Sequence, residues 1–247
     1  MASVTLTDAD WSAPCVSFDR ETLCVGTPIA LDGYRHPLVM RELAWLHAAL
    51  TGAIGRGHAK PSHCTPADWS LVPWDAPSGW AVAWWSEADA AALSATVRPS
   101  RIGAVECSLA IGARVRVHVP PAYVPGAHLV RLSLRTPLVV TSTQSDGRKR
   151  SAQHATSATM LSAAWTLARK LGVHPQALAV SVLDARTTSG GVDYRGKLGR
   201  VEGLAGTVDL ACNAPARWLF ECASRGLGLG ARTAYGCGRV ETTTLAR

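Results

Sequence analysis

Nowhere along the 247 residues is there a run of roughly 20 apolar residues, so no segment is expected to cross a bilayer as a helix. The opening stretch, MASVTLTDAD, has neither a basic nor an apolar block, and no secretory signal is expected. Cysteine is present seven times (15, 24, 64, 107, 212, 222, 237), an odd number with no C-x-x-C pair. That disfavours a disulfide scaffold or a zinc finger and points to a reducing, cytoplasmic setting. No H-E-x-x-H pair occurs, and neither a metal nor another cofactor is expected. No G-x-S-x-G elbow occurs either, which leaves Ser157, Ser181 and Asp184 without the frame of a hydrolase triad. Charged residues make up only 17% of the chain against 47% hydrophobic, too apolar a balance for disorder and enough for a sizeable core.

The charge that is present is uneven. Residues 1–125 carry 9 Lys/Arg against 11 Asp/Glu, whereas residues 126–247 carry 16 against 7. Of the 25 cations in the chain, 21 are arginine. Arginine's planar fork pairs with phosphate through two parallel hydrogen bonds, so a basic half built on arginine suggests an RNA or DNA partner. An arginine bias inherited from a GC-rich genome is the plainer alternative.

Strand-like segments at 16–20 and 22–26 precede a turn at 32–37 and a helix over 38–50, where Leu43, Leu46, Ala49 and Leu50 recur at helical spacing. Residues 58–97 read as a mostly helical insertion, irregular at first, with five tryptophans between 69 and 85 and an Ala-rich helix at 87–97. Alternating strands follow at 105–109 and 114–119. The segment 120–126, PPAYVPG, is the best linker, and it lies where the charge balance changes sign. Beyond it the pattern predicts a strand at 129–134, a helix over 156–171 with Leu161, Trp165, Ala168 and Leu171 on one stripe, and a strand at 177–184. A hairpin turn at 187–193, strand material over 197–210, a helix capped by Asn213 and a last strand at 239–245 complete it. The order β-α-β-β-α-β is that of a ferredoxin-like or RRM-like unit. The expected fold is α+β: two tandem ferredoxin-like (RRM-like) domains, residues 1–122 and 123–247, with the helical insertion in the first.

The most informative segment is GLGLGARTAYGCGR at 226–239. Residues 226–231 match G-x-G-x-x-A, but a dinucleotide fingerprint needs a strand before it and a helix after it. Here a helix precedes it and sixteen residues follow Ala231, so that reading fails. A glycine-rich loop between the last helix and the last strand lets the backbone approach a ligand, and successive N–H groups can cradle phosphate. The alternative is a structural turn that needs positive φ.

This helix, loop and strand resemble the C-terminal glycine-rich loop of the CRISPR RNA-processing endoribonucleases, whose tandem ferredoxin-like domains end the same way. The arginine-rich, histidine-poor character is most similar to the type IV variant. The resemblance implies metal-independent cleavage of precursor crRNA within its repeats, by attack of a 2′-hydroxyl on the adjacent phosphate, with the protein remaining on the 3′ hairpin. It also implies CRISPR repeat RNA and other subunits of a CRISPR effector complex as partners, and no membrane. Many members use a histidine in or near the first helix of the N-terminal domain. The candidates are His36, at a turn from which it can reach out, and His47, whose apolar neighbours favour a packed, satisfied ring. The departure from a clearly placed histidine makes arginines the expected catalysts: Arg20, Arg35 and Arg239, as stabilisers of phosphorane charge. The expected RNA-binding set is Arg148, Lys149, Arg150, Arg169 and Lys170 on the stem, with Gly228, Gly230, Arg232, Gly236 and Gly238 in the loop. Trp84 and Trp85 could stack on bases, although packing is the commoner use of tryptophan. A non-catalytic RNA-binding subunit of the same assembly is the alternative function.

Overall fold

The computed structural model describes Trp11 and residues 22–34, 37–53, 69–74, 78–84, 97–112, 115–118, 120–121, 123–143, 149–171, 177–195 and 198–246. Arg20, Arg35, His36, Trp85 and Arg148, and the strand expected at 16–20, lie outside the described residues.

In the C-terminal half, β7 (His128–Leu138) is followed by a short hairpin of β8 (Thr141–Thr143) and β9 (Lys149–Ser151), then α2 (Ser157–Leu171). The long strands β10 (Val180–Tyr194) and β11 (Gly199–Cys212), α3 (Ala214–Cys222) and β12 (Val240–Thr244) complete it. The sheet runs β10-β11-β7-β12 with every pair antiparallel. Counted without the small hairpin, this is the second-third-first-fourth strand order of a ferredoxin-like unit. Period-two alternation along β7 places Val130, Leu132 and Leu134 in the core and Arg131 and Arg135 outside. Helices α2 and α3 cover the inner face with Ala163, Ala164, Leu167, Leu219 and Phe220.

Three expectations need correction here. The buried stripe of α2 is Met160, Ala163, Ala164, Leu167, Ala168 and Leu171, a regular helical face of mostly small residues. Trp165 lies off it and is 37% exposed, while Leu161 is only partly buried. The glycines at 190 and 191 do not make a hairpin turn: β10 runs straight through them, pairing Gly190 with Gly203 and Gly191 with Glu202. A Cβ on Gly191 would lie 3.1 Å from the Arg200 guanidinium, so glycine leaves room for the side chain of the neighbouring strand. Lys149 and Arg150, expected in a loop, lie in β9.

The N-terminal half places β1 (Thr22–Asp32) at the centre of a sheet ordered β2-β3-β1-β5-β4. Its other members are β2 (Trp69–Pro73), β3 (Trp80–Trp84), β4 (Val97–Ile102) and β5 (Val105–Ile111), with β6 (Val115–His118) pairing the first part of β1. The described part of 58–97 is thus a strand pair rather than helix, and the segment assigned to the end of an Ala-rich helix opens β4 at Val97. Trp69, Leu71, Trp80 and Val82 go into the core, so this apolar, aromatic segment satisfies its backbone in a sheet. Helix α1 (Leu43–Ala53) follows a 3-10 turn at 40–42 and buries Leu43, Leu46 and Leu50.

Pro120 and Tyr123, within the segment expected as a linker, are held to the C-terminal half. Trp218 Nε1 donates to Pro120 O at 3.2 Å, and the Arg217 guanidinium lies 4.1 Å from the centre of the Tyr123 ring. Asn213 closes the start of α3: its Oδ1 accepts from Ala216 N at 3.2 Å and its Nδ2 donates to Ala177 O at 2.7 Å. Asn213→Ala loses the cap and leaves the buried Ala216 N–H without its acceptor. It should lower unfolding free energy by about 2 kcal/mol, read as a lower urea midpoint.

Candidate functional site

Helix α3 does not stop cleanly. It loosens into a π-turn at Ala223–Leu227 in which Gly226 has φ 125°, and the chain then folds back through 228–238 before entering β12. Two glycines show why the sequence needs them. At Gly230 a Cβ would sit 2.6 Å from Val139 O, and at Gly238 it would collide with Leu229 O. The loop is therefore pressed backbone against backbone onto the end of β7. Ala231 N donates to Val139 O and Leu229 N to Gly238 O (both 2.8 Å), and Gly238 N donates to Pro137 O (2.9 Å). Thr136 staples the exit: its hydroxyl donates to Gly236 O at 2.8 Å and accepts from Arg239 N at 2.9 Å. The amides of Gly228, Leu229, Ala231, Tyr235, Gly236, Cys237, Gly238 and Arg239 all have acceptors inside the protein.

The other wall of the cleft comes from the N-terminal half. Ser70 Oγ on β2 donates to Gly226 O at 2.8 Å, and a Cβ on Gly226 would already meet Val72 at 3.4 Å. An open pocket of about 180 Å³ lies between the two walls, lined by Ser70, Val72, Trp74, Ser224, Thr233 and Arg239 among others. Arg239 is half-buried. Burial holds its guanidinium below the usual arginine range, with Glu241 opposing and Arg135 adding to the shift. It stays charged at neutral pH. Lys170, expected on the RNA stem, reaches inward to the loop and donates to Thr233 Oγ1 at 3.2 Å.

One turn into α1, His47 lies against the same loop. Its ring stacks on Tyr235 (centroids 4.1 Å apart, planes 17°) and on Trp69 of β2 (5.0 Å, 29°). The Arg232 guanidinium is 5.8 Å from the centre of the Tyr235 ring. Burial, with the positive charge of Arg232 adding to it, lowers the His47 pKa to about 4, so the imidazole is neutral at pH 7. Among the described residues the ring nitrogens of His47 have no hydrogen-bond partner. Arg232 itself adopts the left-handed region, φ 64°, which turns the chain into the 3-10 turn carrying Tyr235.

Of the expected site residues, the structure brings together Gly228, Gly230, Arg232, Gly236, Gly238, Arg239 and Lys170. Arg150 is exposed on β9 and Arg169 is exposed on α2. Much of the remaining arginine of the C-terminal half is neutralised on the outer sheet face, where Arg131 pairs with Asp209 at 2.6 Å, Arg135 with Glu241 and Arg186 with Asp184. Arg232 and Arg239 make no ion pair among the described residues.

No protein-family model matches this sequence, and no curated protein matches it. Solved structures do. The chain superposes on a Cas6 in complex with its product at TM-score 0.60 and 15% identity, over 89% of this chain and 100% of that one. The chain has the Cas6 fold. It matches a Cas6-related protein from Pyrococcus furiosus at TM-score 0.54 and 10% identity, over 90% of this chain and 98% of that one. A RAMP protein described as binding different RNA substrates gives TM-score 0.55 and 13% identity, over 89% and 99%.

Within this Cas6 fold the residues that sequence reasoning passed over are Trp69, Tyr194 and Tyr235, while His47 was weighed and set among packed residues. The available signal was the position of His47 on the apolar face of α1, between Leu43, Leu46 and Leu50. What it packs against comes from β2 and from a loop 188 residues away, which no local pattern encodes. A depressed folded-state pKa favours the neutral ring, so the contribution of His47 to stability is complete above the unfolded value near 6.5. It is lost as pH falls from there toward about 4. His47→Phe keeps a flat ring in the stack and cannot titrate. Urea midpoints measured from pH 7 to 4 should fall less steeply for that variant than for the parent.

Proposed function

We propose that the chain is a metal-independent endoribonuclease that cleaves CRISPR precursor RNA within its repeats and remains on the 3′ hairpin. The observation that carries the reading is the cleft itself. A Cas6-fold protein stacks a neutral imidazole on a hydrogen-bonded loop that carries two arginines, and among the described residues the ring nitrogens have no hydrogen-bond partner and the arginines no ion pair. A Cas6 solved with its product gives one of the matches, and its chain is covered completely.

The chemistry asks for little beyond this. The 2′-oxygen forms a bond to phosphorus, the bond from phosphorus to the 5′-oxygen breaks, and a 2′,3′-cyclic phosphate and a free 5′-hydroxyl result. One proton leaves the attacking oxygen and one reaches the leaving oxygen. Charge builds on the non-bridging oxygens, where the guanidinium forks of Arg239, Arg20 and Arg35 supply aligned donors. His47 is the group to accept the 2′-proton. A phosphate anion beside the ring offsets the field of Arg232, the smaller of the two causes that lower the imidazole pKa, and so raises it. The glycines act through shape, holding Arg232 within the loop and Arg239 at its exit. Arg148, Lys149, Arg150 and Arg169 hold the phosphates of the stem, whose A-form groove is gripped by shape and backbone rather than read by sequence.

A second reading, an RNA-binding subunit without activity in a larger CRISPR ribonucleoprotein, is favoured by one observation. His47 is stacked on two rings and titrates far below neutrality, as a purely packed histidine would. Incubation with repeat RNA in EDTA separates the two. Specific cleavage is expected, and tight binding without any cleavage would favour the subunit. Arg239→Ala should slow single-turnover cleavage by about 10²–10³ while leaving hairpin affinity nearly unchanged. Removing charge at 148–150 should weaken binding and reduce its salt dependence.

A further inference from the structure

The end of β10 reaches past its own sheet to the glycine loop and to the entry of α1. Tyr194, the last residue of β10, is 5% exposed. Its hydroxyl donates to Tyr235 O at 2.7 Å and lies 3.2 Å from Cys237 Sγ. Its ring meets that of Tyr235 edge-on, with centroids 6.2 Å apart. One residue on, Arg195 takes hold of the opposite wall. Its backbone N–H donates to Arg41 O at 2.8 Å, its guanidinium lies 5.5 Å from the centre of the Trp45 ring, and it pairs with Glu42 at 3.7 Å. Val192, Leu198 and Val201 beside it join the N-terminal core. Two consecutive residues of one turn thus fasten the glycine loop on one side and the entry to α1 on the other.

We propose that Tyr194 is a positioning residue for the cleft: by holding the Tyr235 carbonyl it fixes the ring on which His47 stacks, and so sets where the imidazole stands relative to Arg232. The proposal rests on the reading of the cleft as the cleavage site only for its effect on rate. The positioning itself is testable without RNA. The geometry supports this role over simple packing, because the carbonyl that accepts from the buried phenol belongs to the residue stacked on His47. Among the described residues no other hydrogen bond reaches the Tyr235 carbonyl.

Tyr194→Phe removes the hydroxyl and keeps the ring. With Tyr235 released, the stack loosens, His47 gains access to water, and its titration followed by NMR should move up from about 4 toward 6.5. Single-turnover cleavage of repeat RNA should slow by about tenfold at unchanged affinity, since small misplacements of a reacting group are costly in rate rather than in binding. Arg195→Ala, which leaves the Tyr194 hydroxyl in place, should keep the His47 titration where it is. An unmoved His47 titration in Tyr194→Phe overturns the proposal, and so does an equal shift in Arg195→Ala, which would mean general loosening of the turn. A shifted titration with an unchanged rate leaves Tyr194 as a positioning residue and removes His47 from the chemistry. A parent protein that does not cut RNA fails the functional reading alone, because the titration still decides the role of Tyr194.

Discussion

Backbone hydrogen bonding between the glycine loop and the end of β7 is the constraint on which the cleft depends. Leu229, Ala231 and Gly238 each donate to a carbonyl of β7, of the residue just beyond it or of the loop itself. Arg135 N, on β7, donates in turn to Arg239 O at 2.8 Å. Side chains at Gly230 or Gly238 would prevent this approach by collision with carbonyl oxygens. The glycines therefore give rigidity here, although glycine in isolation gives freedom. Because the loop is fixed, the backbone at Arg232 and Arg239 is fixed with it, while the Tyr235 carbonyl is held from outside the loop by the Tyr194 hydroxyl.

The same loop is the seam between the two halves. Ser70 and Val72 meet the π-turn, His47 stacks on Trp69 and on Tyr235, and Arg195 reaches across to the entry of α1. The contacts are of different kinds, a hydroxyl to a carbonyl, stacked rings and an arginine over indole, and an open pocket lies beside the first of them. Charge follows the same division. Arginines on the outer sheet face are matched with carboxylates, while Arg232 and Arg239 at the seam make no ion pair among the described residues.

The C-terminal half was legible because its signals are local. Alternation along 129–134 reports β7, and Asn213 with Pro215 reports the start of α3. The glycine cluster reports that the backbone must come close to something. What the sequence could not report was that the approach is to β7. Glycines 190 and 191 misled for a related reason: missing side chains look alike whether they permit a turn or make room for Arg200 on the next strand. The α2 stripe was displaced because a tryptophan weighs heavily in any apolar pattern, whereas the sheet accepts the narrow alanine face. Tryptophans 69 and 80 were read within an irregular insertion because alternation over five residues is weak evidence beside four prolines. His47 was visible as a histidine among apolar neighbours, but its neutral state depends on Tyr235 and Arg232, which tertiary structure alone brings near.

The central claim is that the cleft is built before RNA binds, with the glycine loop locked by its own backbone. Amide hydrogen exchange of the free protein tests it most directly. The amides of Leu229, Ala231 and Gly238 should exchange as slowly as those of β7 and β11, and repeat RNA should change them little. Rapid exchange at these three amides in the free protein, with protection appearing only when RNA is added, would contradict the account and make the loop a segment ordered by its ligand.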